Sequence, residues 1–197
     1  MELREYYSKK AAEVKSLISG TEEKPYMIAI DGRCTAGKTT FASFLAEELN
    51  ASVVHMDDFF LRMHQRTAER YSEPGGNVDR ERVREVLREL RQKKDASFRM
   101  FDCTVMELGD EKVIPYRDVI IVEGSYSQHP YLQDFYNLKI FLDVDPEVQQ
   151  KRILQRNGEE KLRVFNAKWI PYEEKYFSAF HIGENSDYYL NTAEEAD

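Results

Sequence analysis

The segment GRCTAGKT at residues 32–39 constrains the fold of this chain more than any other feature. It matches the pattern G-x-x-x-x-G-K-[ST], in which glycines let the backbone fold around phosphate oxygens with its N–H groups turned inward. An apolar stretch at residues 26–30 precedes the loop, and residues 40–49 carry apolar side chains at helical spacing. The sequence therefore predicts a strand, a phosphate-binding loop, and a helix whose positive dipole end faces the phosphate.

This loop is the predicted site of the donor nucleotide. We expect Lys38 to reach the β- and γ-phosphates and the Thr39 hydroxyl to bind Mg²⁺. A helix start lowers the pKa of a nearby thiol, so one hypothesis is that oxidation of Cys34 blocks the donor; the alternative is that Cys34 only fills space in the loop. The residues predicted to bind the donor are Gly32, Arg33, Cys34, Thr35, Ala36, Gly37, Lys38, Thr39 and Thr40.

Composition and charge limit the class of protein. The 197 residues suit one domain over residues 1–197, and 42% hydrophobic with 32% charged residues is an ordinary globular balance. The net charge of −8 disfavours a nucleic-acid backbone or an anionic membrane as partner. The N-terminus lacks the apolar core of a signal peptide, and no apolar run approaches transmembrane length. Two cysteines without metal-ligand spacing favour a reducing compartment, so we predict a cytoplasmic protein that acts on a small-molecule substrate.

Hydrophobic patterns beyond the loop predict alternating strands and helices. The continuous apolar run at residues 118–122 is typical of a strand buried on both faces of a parallel sheet. The pair Asp145-Pro146 predicts a helix start, and Asn157-Gly158 predicts the end of that helix. The other predicted strands cover residues 51–56, 97–101, 138–143 and 186–190, and the other predicted helices cover residues 2–19, 79–93 and 167–180. This alternation predicts an α/β fold with ligands at the carboxyl ends of its parallel strands.

Four segments together carry a family resemblance. They are the loop, HMDDFF at residues 55–60, NVD at residues 77–79 and IVEG at residues 121–124. In this order they resemble the uridine kinases, a branch of the P-loop kinases related to phosphoribulokinases and nicotinamide riboside kinases, over about residues 25–190. The resemblance implies a three-layer αβα sandwich with a five-stranded parallel sheet and a mobile lid at about residues 152–166. It also implies Mg²⁺-dependent phosphate transfer from ATP to a small-molecule hydroxyl. The 5′-hydroxyl of a pyrimidine nucleoside is the first choice of acceptor, with nicotinamide riboside or pantothenate as alternatives.

The acidic residues near the ends of predicted strands take their roles from this resemblance. Asp57 matches the carboxylate that faces the acceptor hydroxyl, and Glu123 matches the carboxylate that holds Mg²⁺. For both, the alternative is a solvated or capping position at a strand end. Asp79 matches the residue that receives the ribose hydroxyls, although an Asp just before an amphipathic helix is also an ordinary N-cap. Asp58 is either a helper of Asp57 or a cap.

Three arginines lie in the expected lid. Arg152 and Arg156 are expected to close over the triphosphate and neutralise the charge that develops during transfer, and Arg163 is expected to contact the substrate. The alternative is a solvated basic helix face.

Aromatic residues are candidates for the walls of an acceptor pocket. We predict this role for Phe60, Tyr71 and Phe101, with plain core packing as the alternative. The stretch FDCT at residues 101–104 resembles a base-pocket segment of the family, but VME at residues 105–107 does not include the base-contacting His of that family.

A second aromatic group, Trp169, Tyr172, Tyr176 and Phe177, recurs at helical spacing. It predicts either core packing or the contact face of a homo-oligomer. Among other functions, a GTPase is disfavoured because the chain has no guanine-reading Asn-Lys-x-Asp. A non-catalytic, nucleotide-binding regulatory module stays as an alternative to a kinase.

Overall fold

The computed structural model describes residues 3–192. Within that range the chain forms six α-helices and seven strands. The helices are α1 (Leu3–Leu17), α2 (Lys38–Leu49), α3 (Ala68–Ser72), α4 (Arg80–Arg91), α5 (Pro146–Val164) and α6 (Ile170–Phe180). The strands are β1 (Tyr26–Gly32), β2 (Ser52–His55), β3 (Ala96–Asp102), β4 (Glu107–Ile114), β5 (Val119–Glu123), β6 (Leu138–Asp143) and β7 (Tyr188–Asn191). A π-helical turn, Phe165–Trp169, joins α5 to α6.

A five-stranded sheet of order β2-β5-β1-β6-β7 forms the centre of the molecule, and all its neighbouring strands are parallel. Because successive side chains of a strand point to opposite faces, the sheet supplies two cores. Met27, Val54 and Ile120 pack on the face that α4 and α6 cover, whereas Ile28 and Ile121 pack on the face that α1 and α2 cover. The predicted three-layer α/β fold with a five-stranded parallel sheet is therefore confirmed.

The structure corrects the sequence analysis at several elements. Strand β4 was not predicted; it pairs with β3 as an antiparallel hairpin beside the main sheet. The predicted helix end at Asn157-Gly158 is confirmed, because Gly158 has a φ of 80° and a ψ of 172°, which are not helical; α5 therefore consists of two helical segments on either side of this kink, and the second one, up to Val164, was not predicted. Helix α1 ends at Leu17 rather than residue 19, and residue 2 of the predicted helix lies outside the described residues.

Two further observations concern the described part of the chain. Cys34 is a buried free thiol and Cys103 is an exposed one. Between residues 3 and 192, no helix is both long and apolar enough to cross a bilayer.

Candidate functional site

A cavity of about 470 Å³ lies where β1, β2 and β5 end. Loops that follow these three strands meet there because the carboxyl ends of parallel strands share one edge of a sheet. The predicted site residues that line this cavity are Cys34, Thr35, Gly37, Lys38, Thr39, Thr40, Asp57, Phe60, Glu123, Arg152 and Arg156. The structure thus brings the predicted donor loop, both predicted carboxylates and two of the predicted lid arginines to one space.

The phosphate-binding loop forms between β1 and α2, as predicted. Lys38 Nζ donates to the carbonyl oxygens of Gly32 at 2.7 Å and Arg33 at 2.9 Å, which holds the ammonium across the loop. Gly37 has a φ of 89°, in the left-handed region that favours glycine. A Cβ at this position would collide with the Tyr7 hydroxyl of α1, so close packing also requires glycine there.

Thr39 and Glu123 form a polar pair at the edge of the loop. Glu123 ends β5, and its carboxylate oxygens lie 3.3 and 3.4 Å from Thr39 Oγ1. His55 is the register partner of Glu123 on β2, and its Nδ1 lies 2.5 Å from Glu123 Oε1. Cross-strand pairing therefore fixes the direction of this carboxylate.

The pair also fits a magnesium ion. Mg²⁺ prefers oxygen ligands and is commonly held by one or two carboxylates together with substrate phosphates. Among residues 3–192, no group of three or more His, Cys, Asp or Glu side chains could hold a metal ion. The hydroxyl of Thr39 and the carboxylate of Glu123 are neighbouring oxygen donors, which suits an ion that brings nucleotide phosphates as its other ligands.

Asp57 faces the same cavity from the 3₁₀ turn after β2. Burial by the surrounding protein raises the pKa of its carboxyl, and the negative charge of Glu123 adds to this effect, whereas the Lys38 ammonium opposes it. Asp58 points elsewhere: its Oδ2 accepts a hydrogen bond from Lys112 Nζ of β4 at 2.8 Å. Asp57 is thus the carboxylate available to a ligand, and Asp58 fastens the β3–β4 hairpin to the sheet.

Asp31 is a fully buried carboxylate under the loop. Its Oδ1 accepts from the backbone N–H groups of Gly32 and Tyr126, and its Oδ2 accepts from the Gln128 N–H and the Tyr176 hydroxyl. Burial raises its pKa to about 6, although these hydrogen bonds and Lys38 favour the charged form. Asp31 therefore ties the phosphate loop to the segment after β5 and to α6.

Two residues of the loop depart from their simplest predicted roles. The guanidinium of Arg33 pairs with Glu174 at 2.7 Å and with Asp143, so it holds the loop against α6 and β6. The predicted lowering of the Cys34 thiol pKa is wrong, because burial, followed by the negative charge of Glu173, raises it to about 12. A buried thiol with a raised pKa is a poor nucleophile, which removes the basis for the oxidation hypothesis.

The predicted lid arginines differ in their surroundings. Arg152 lines the cavity and donates to the carbonyl oxygens of Thr35 and Thr192 at 3.2 and 2.8 Å. Arg156 lines the cavity from a more exposed position. Arg163 lies beyond the kink, where it is exposed and 3.8 Å from Glu159, and it does not line the cavity.

The predicted acceptor-pocket residues are only partly brought together. Phe60 lines the cavity and makes an edge-to-face contact with the buried Phe101, which lies behind it. Tyr71 stacks on Tyr172 away from the cavity. Asp79 is fully buried and caps α4, where its Oδ1 accepts from the Arg82 N–H at 3.3 Å. The N-cap interpretation of Asp79 is therefore confirmed, and its predicted contact with a ribose stays a prediction.

The cavity has further walls that the sequence analysis did not assign to it. Phe165 and Trp169 reach it from the π-helical turn, and Glu173 reaches it from α6. Tyr176 and Phe177 are core residues, which agrees with the first of the two predicted alternatives. Trp169 differs from them because it faces the cavity. The other residues that complete the lining are Asn77, Val78, Gly124, Ser125 and Tyr126.

Comparisons with known proteins agree with this geometry. A family model described as an AAA domain matches residues 28–170. A uridine kinase from Ligilactobacillus salivarius (strain UCC118) is 27% identical over 175 residues, which cover 83% of this chain and 81% of that protein. The uridine kinase-like protein 3 of Arabidopsis thaliana is 28% identical over 188 residues, which cover 88% of this chain but only 38% of that longer protein.

A solved structure gives the same fold. The structure of a possible uridine kinase from Bacillus stearothermophilus superimposes with a TM-score of 0.70 and 19% identity, covering 96% of this chain and 100% of that one. At 19% identity this similarity shows the fold alone.

Proposed function

The chain belongs to the AAA domain family, and we propose that this uridine kinase-like member transfers the γ-phosphate of ATP to a hydroxyl of a small molecule. The first acceptor in this proposal is a pyrimidine nucleoside, through its 5′-hydroxyl. The relatives support the broader assignment of the chain as a kinase-type phosphotransferase. The identity of the donor, the identity of the acceptor and the role of each residue go beyond the relatives and are what we propose.

One observation carries the proposal. Asp57 lines the same cavity as Lys38 and Thr39, while the carboxylate of Glu123 stays beside the Thr39 hydroxyl. Phosphoryl transfer needs positive charge and metal ligands around the donor phosphates, and a carboxylate near the attacking hydroxyl. In this arrangement Glu123 would serve the metal and the donor phosphates on the loop side of the cavity. Asp57 would serve the acceptor hydroxyl on its own side.

The proposed reaction uses these residues as follows. Asp57 accepts the proton of the acceptor hydroxyl, whose oxygen forms a bond to the γ-phosphorus as the bond to the β-phosphate oxygen breaks and ADP leaves. Lys38, Arg152 and Arg156 neutralise the charge that develops on the phosphoryl oxygens. Thr39 and Glu123 would hold Mg²⁺, which supplies further charge neutralisation when it is bound.

Coupled ADP release with Mg²⁺ and ATP tests the proposal against an acceptor panel. The panel holds uridine, cytidine, purine nucleosides, nicotinamide riboside, pantothenate and simple sugars. We expect turnover with one acceptor, and we expect Asp57→Asn to lower it by about 10²–10⁴-fold, the usual contribution of a general base. Asp58→Asn is the matched control, because the neighbouring carboxylate binds Lys112 instead of facing the cavity.

The same panel discriminates the alternatives. Turnover with nicotinamide riboside or pantothenate would keep the kinase and replace the pyrimidine acceptor. ATP binding without turnover for any acceptor would contradict the proposed reaction with these acceptors and favour a nucleotide-binding regulatory module.

A further inference from the structure

Glu173 is a buried carboxylate inside the cavity, and the proposed reaction gives it no part. Only 5% of the residue is exposed. Its Oε2 accepts a hydrogen bond from the backbone N–H of Cys34, in the phosphate loop, at 3.0 Å. Its Oε1 accepts one from Ser125 Oγ, just after β5, at 2.7 Å. One side chain of α6 therefore contacts both the donor loop and the segment that follows the Glu123 strand.

Cys34 belongs to the loop predicted to bind the donor, and it lines the cavity. In a phosphate-binding loop the backbone N–H groups that face the cavity bind anionic oxygens of the nucleotide. A carboxylate oxygen is an anionic acceptor of the same kind, and its hydrogen bonds are about twice as strong as those of a neutral acceptor. Glu173 therefore accepts the hydrogen bond of one backbone N–H of the loop, as a phosphate oxygen would. Its negative charge also lies where a bound triphosphate would place several negative charges.

Glu173 also lies on the helical segment that follows the predicted lid. Trp169 lies four residues earlier along the helix and lines the same cavity, as expected for side chains at i and i+4. The π-helical turn that carries Trp169 follows directly from α5, which carries Arg152 and Arg156.

We propose that Glu173 is a positioning residue that competes with the donor triphosphate for the Cys34 N–H and thereby sets the affinity for ATP. This inference rests on the proposed function, because ATP is the competing ligand. Removing the charge while keeping the shape should weaken the competitor and tighten ATP binding. If Glu173 only stabilised the conformation of the loop, the same change would leave ATP binding unchanged or weaken it.

Isothermal titration of the whole chain with Mg²⁺-ATP, without acceptor, separates these two outcomes. We expect Glu173→Gln to lower the Kd for ATP at least about fivefold, since removal of one nearby charge acts on a highly charged ligand. Glu173→Ala should also lower the Kd. Glu173→Asp keeps the charge on a shorter side chain and should not lower it. Glu147→Gln removes the same charge from an exposed position outside the cavity and is the matched control, expected to stay within about twofold of the native Kd.

Each variant is checked for folding by circular dichroism and thermal unfolding. An unchanged or raised Kd in folded Glu173→Gln would overturn the inference, and so would failure of both neutral variants to fold while Glu173→Asp folds. Because no acceptor is present, the result is separate from the test of the kinase reaction. ATP binding with the expected Glu173 effect but no acceptor turnover would contradict the proposed reaction alone. Absence of ATP binding in the native chain would contradict both.

Discussion

At the scale of single residues, the proposed chemistry depends on the charge of Asp57. Burial and the nearby Glu123 raise its pKa above the ordinary value of 3.8. A base acts in its ionised form, so activity should fall as the pH drops through this raised pKa. We expect the acid limb of kcat/KM for the acceptor to have its midpoint above 3.8, in a region where a free Asp side chain is already ionised. Steady-state rates of the native chain and of Asp58→Asn should both show this limb, at a slightly lower pH in Asp58→Asn because the negative charge of Asp58 also raises the pKa of Asp57. An acid limb that persists in the residual activity of Asp57→Asn would assign it to another group.

Asp31 gives a second prediction at this scale, for stability. Its pKa is raised from 3.8 to about 6, so between these values the folded chain binds a proton that the unfolded chain has released. The contribution of Asp31 is therefore fully present below about pH 4 and is lost as the pH rises through about 6. The difference in unfolding free energy between the native chain and Asp31→Asn should fall by about 2 kcal/mol from pH 4 to pH 7. Urea unfolding at several pH values measures it, and a difference that is constant with pH would contradict the prediction.

Sequence patterns predicted residues of the site where a motif fixed their place. Lys38 and Thr39 follow from the loop, and Asp57 and Glu123 follow from their position after apolar strands. Glu173 has no such signal, because a Glu-Glu pair on a charged helix looks like a solvated face. Only the packing of α6 on the loop turns its carboxylate inward, and that depends on tertiary contacts.

At the scale of elements, α1 supports the phosphate loop through Tyr7. A Cβ on Gly37 would collide with the Tyr7 hydroxyl, and the φ of 89° at Gly37 is strained for any other residue. We expect Gly37→Ala to lower the unfolding free energy by about 1–3 kcal/mol and to weaken ATP binding at least about tenfold. Adding Tyr7→Phe should recover part of the stability, because it removes the colliding oxygen but not the backbone strain. Urea unfolding and ATP titration of both variants measure this. An equal loss in the single and double variants would contradict the proposed collision.

The same scale shows why some elements were predictable and others were not. Strands β1, β5 and β6 are apolar because both faces of the central sheet are covered, so composition alone marks them. Strand β4 has the sequence ELGDEKVI and is largely exposed, so its only signal is its pairing with β3. Gly158 carries a local signal for a helix end and does break the helical backbone, whereas the second helical segment, up to Val164, has no such signal.

At the scale of the whole molecule, one sheet connects the two cores. Each buried strand sends alternate side chains into both, as Met27 and Ile28 do on β1. Neither core can therefore lose its packing without exposing the other face of the same strands, which is the structural basis for cooperative unfolding. We expect a single thermal transition for the chain, in agreement with the prediction of one domain. Two separate transitions by calorimetry would contradict that prediction.

Binding at the cavity should stabilise this whole cooperative unit, because the phosphate loop joins a strand shared by both cores to a helix of one face. At a concentration of Mg²⁺-ATP about 100 times its Kd, the unfolding free energy should rise by about 2.7 kcal/mol. For a domain of this size that corresponds to an increase in Tm of about 5–10 °C. Gly37→Ala, with ATP binding at least about tenfold weaker, should show about half of this increase or less at the same ATP concentration, whereas Glu147→Gln should match the native chain. If ATP bound with the expected affinity but shifted only part of the unfolding curve, part of the chain would unfold separately from the central sheet.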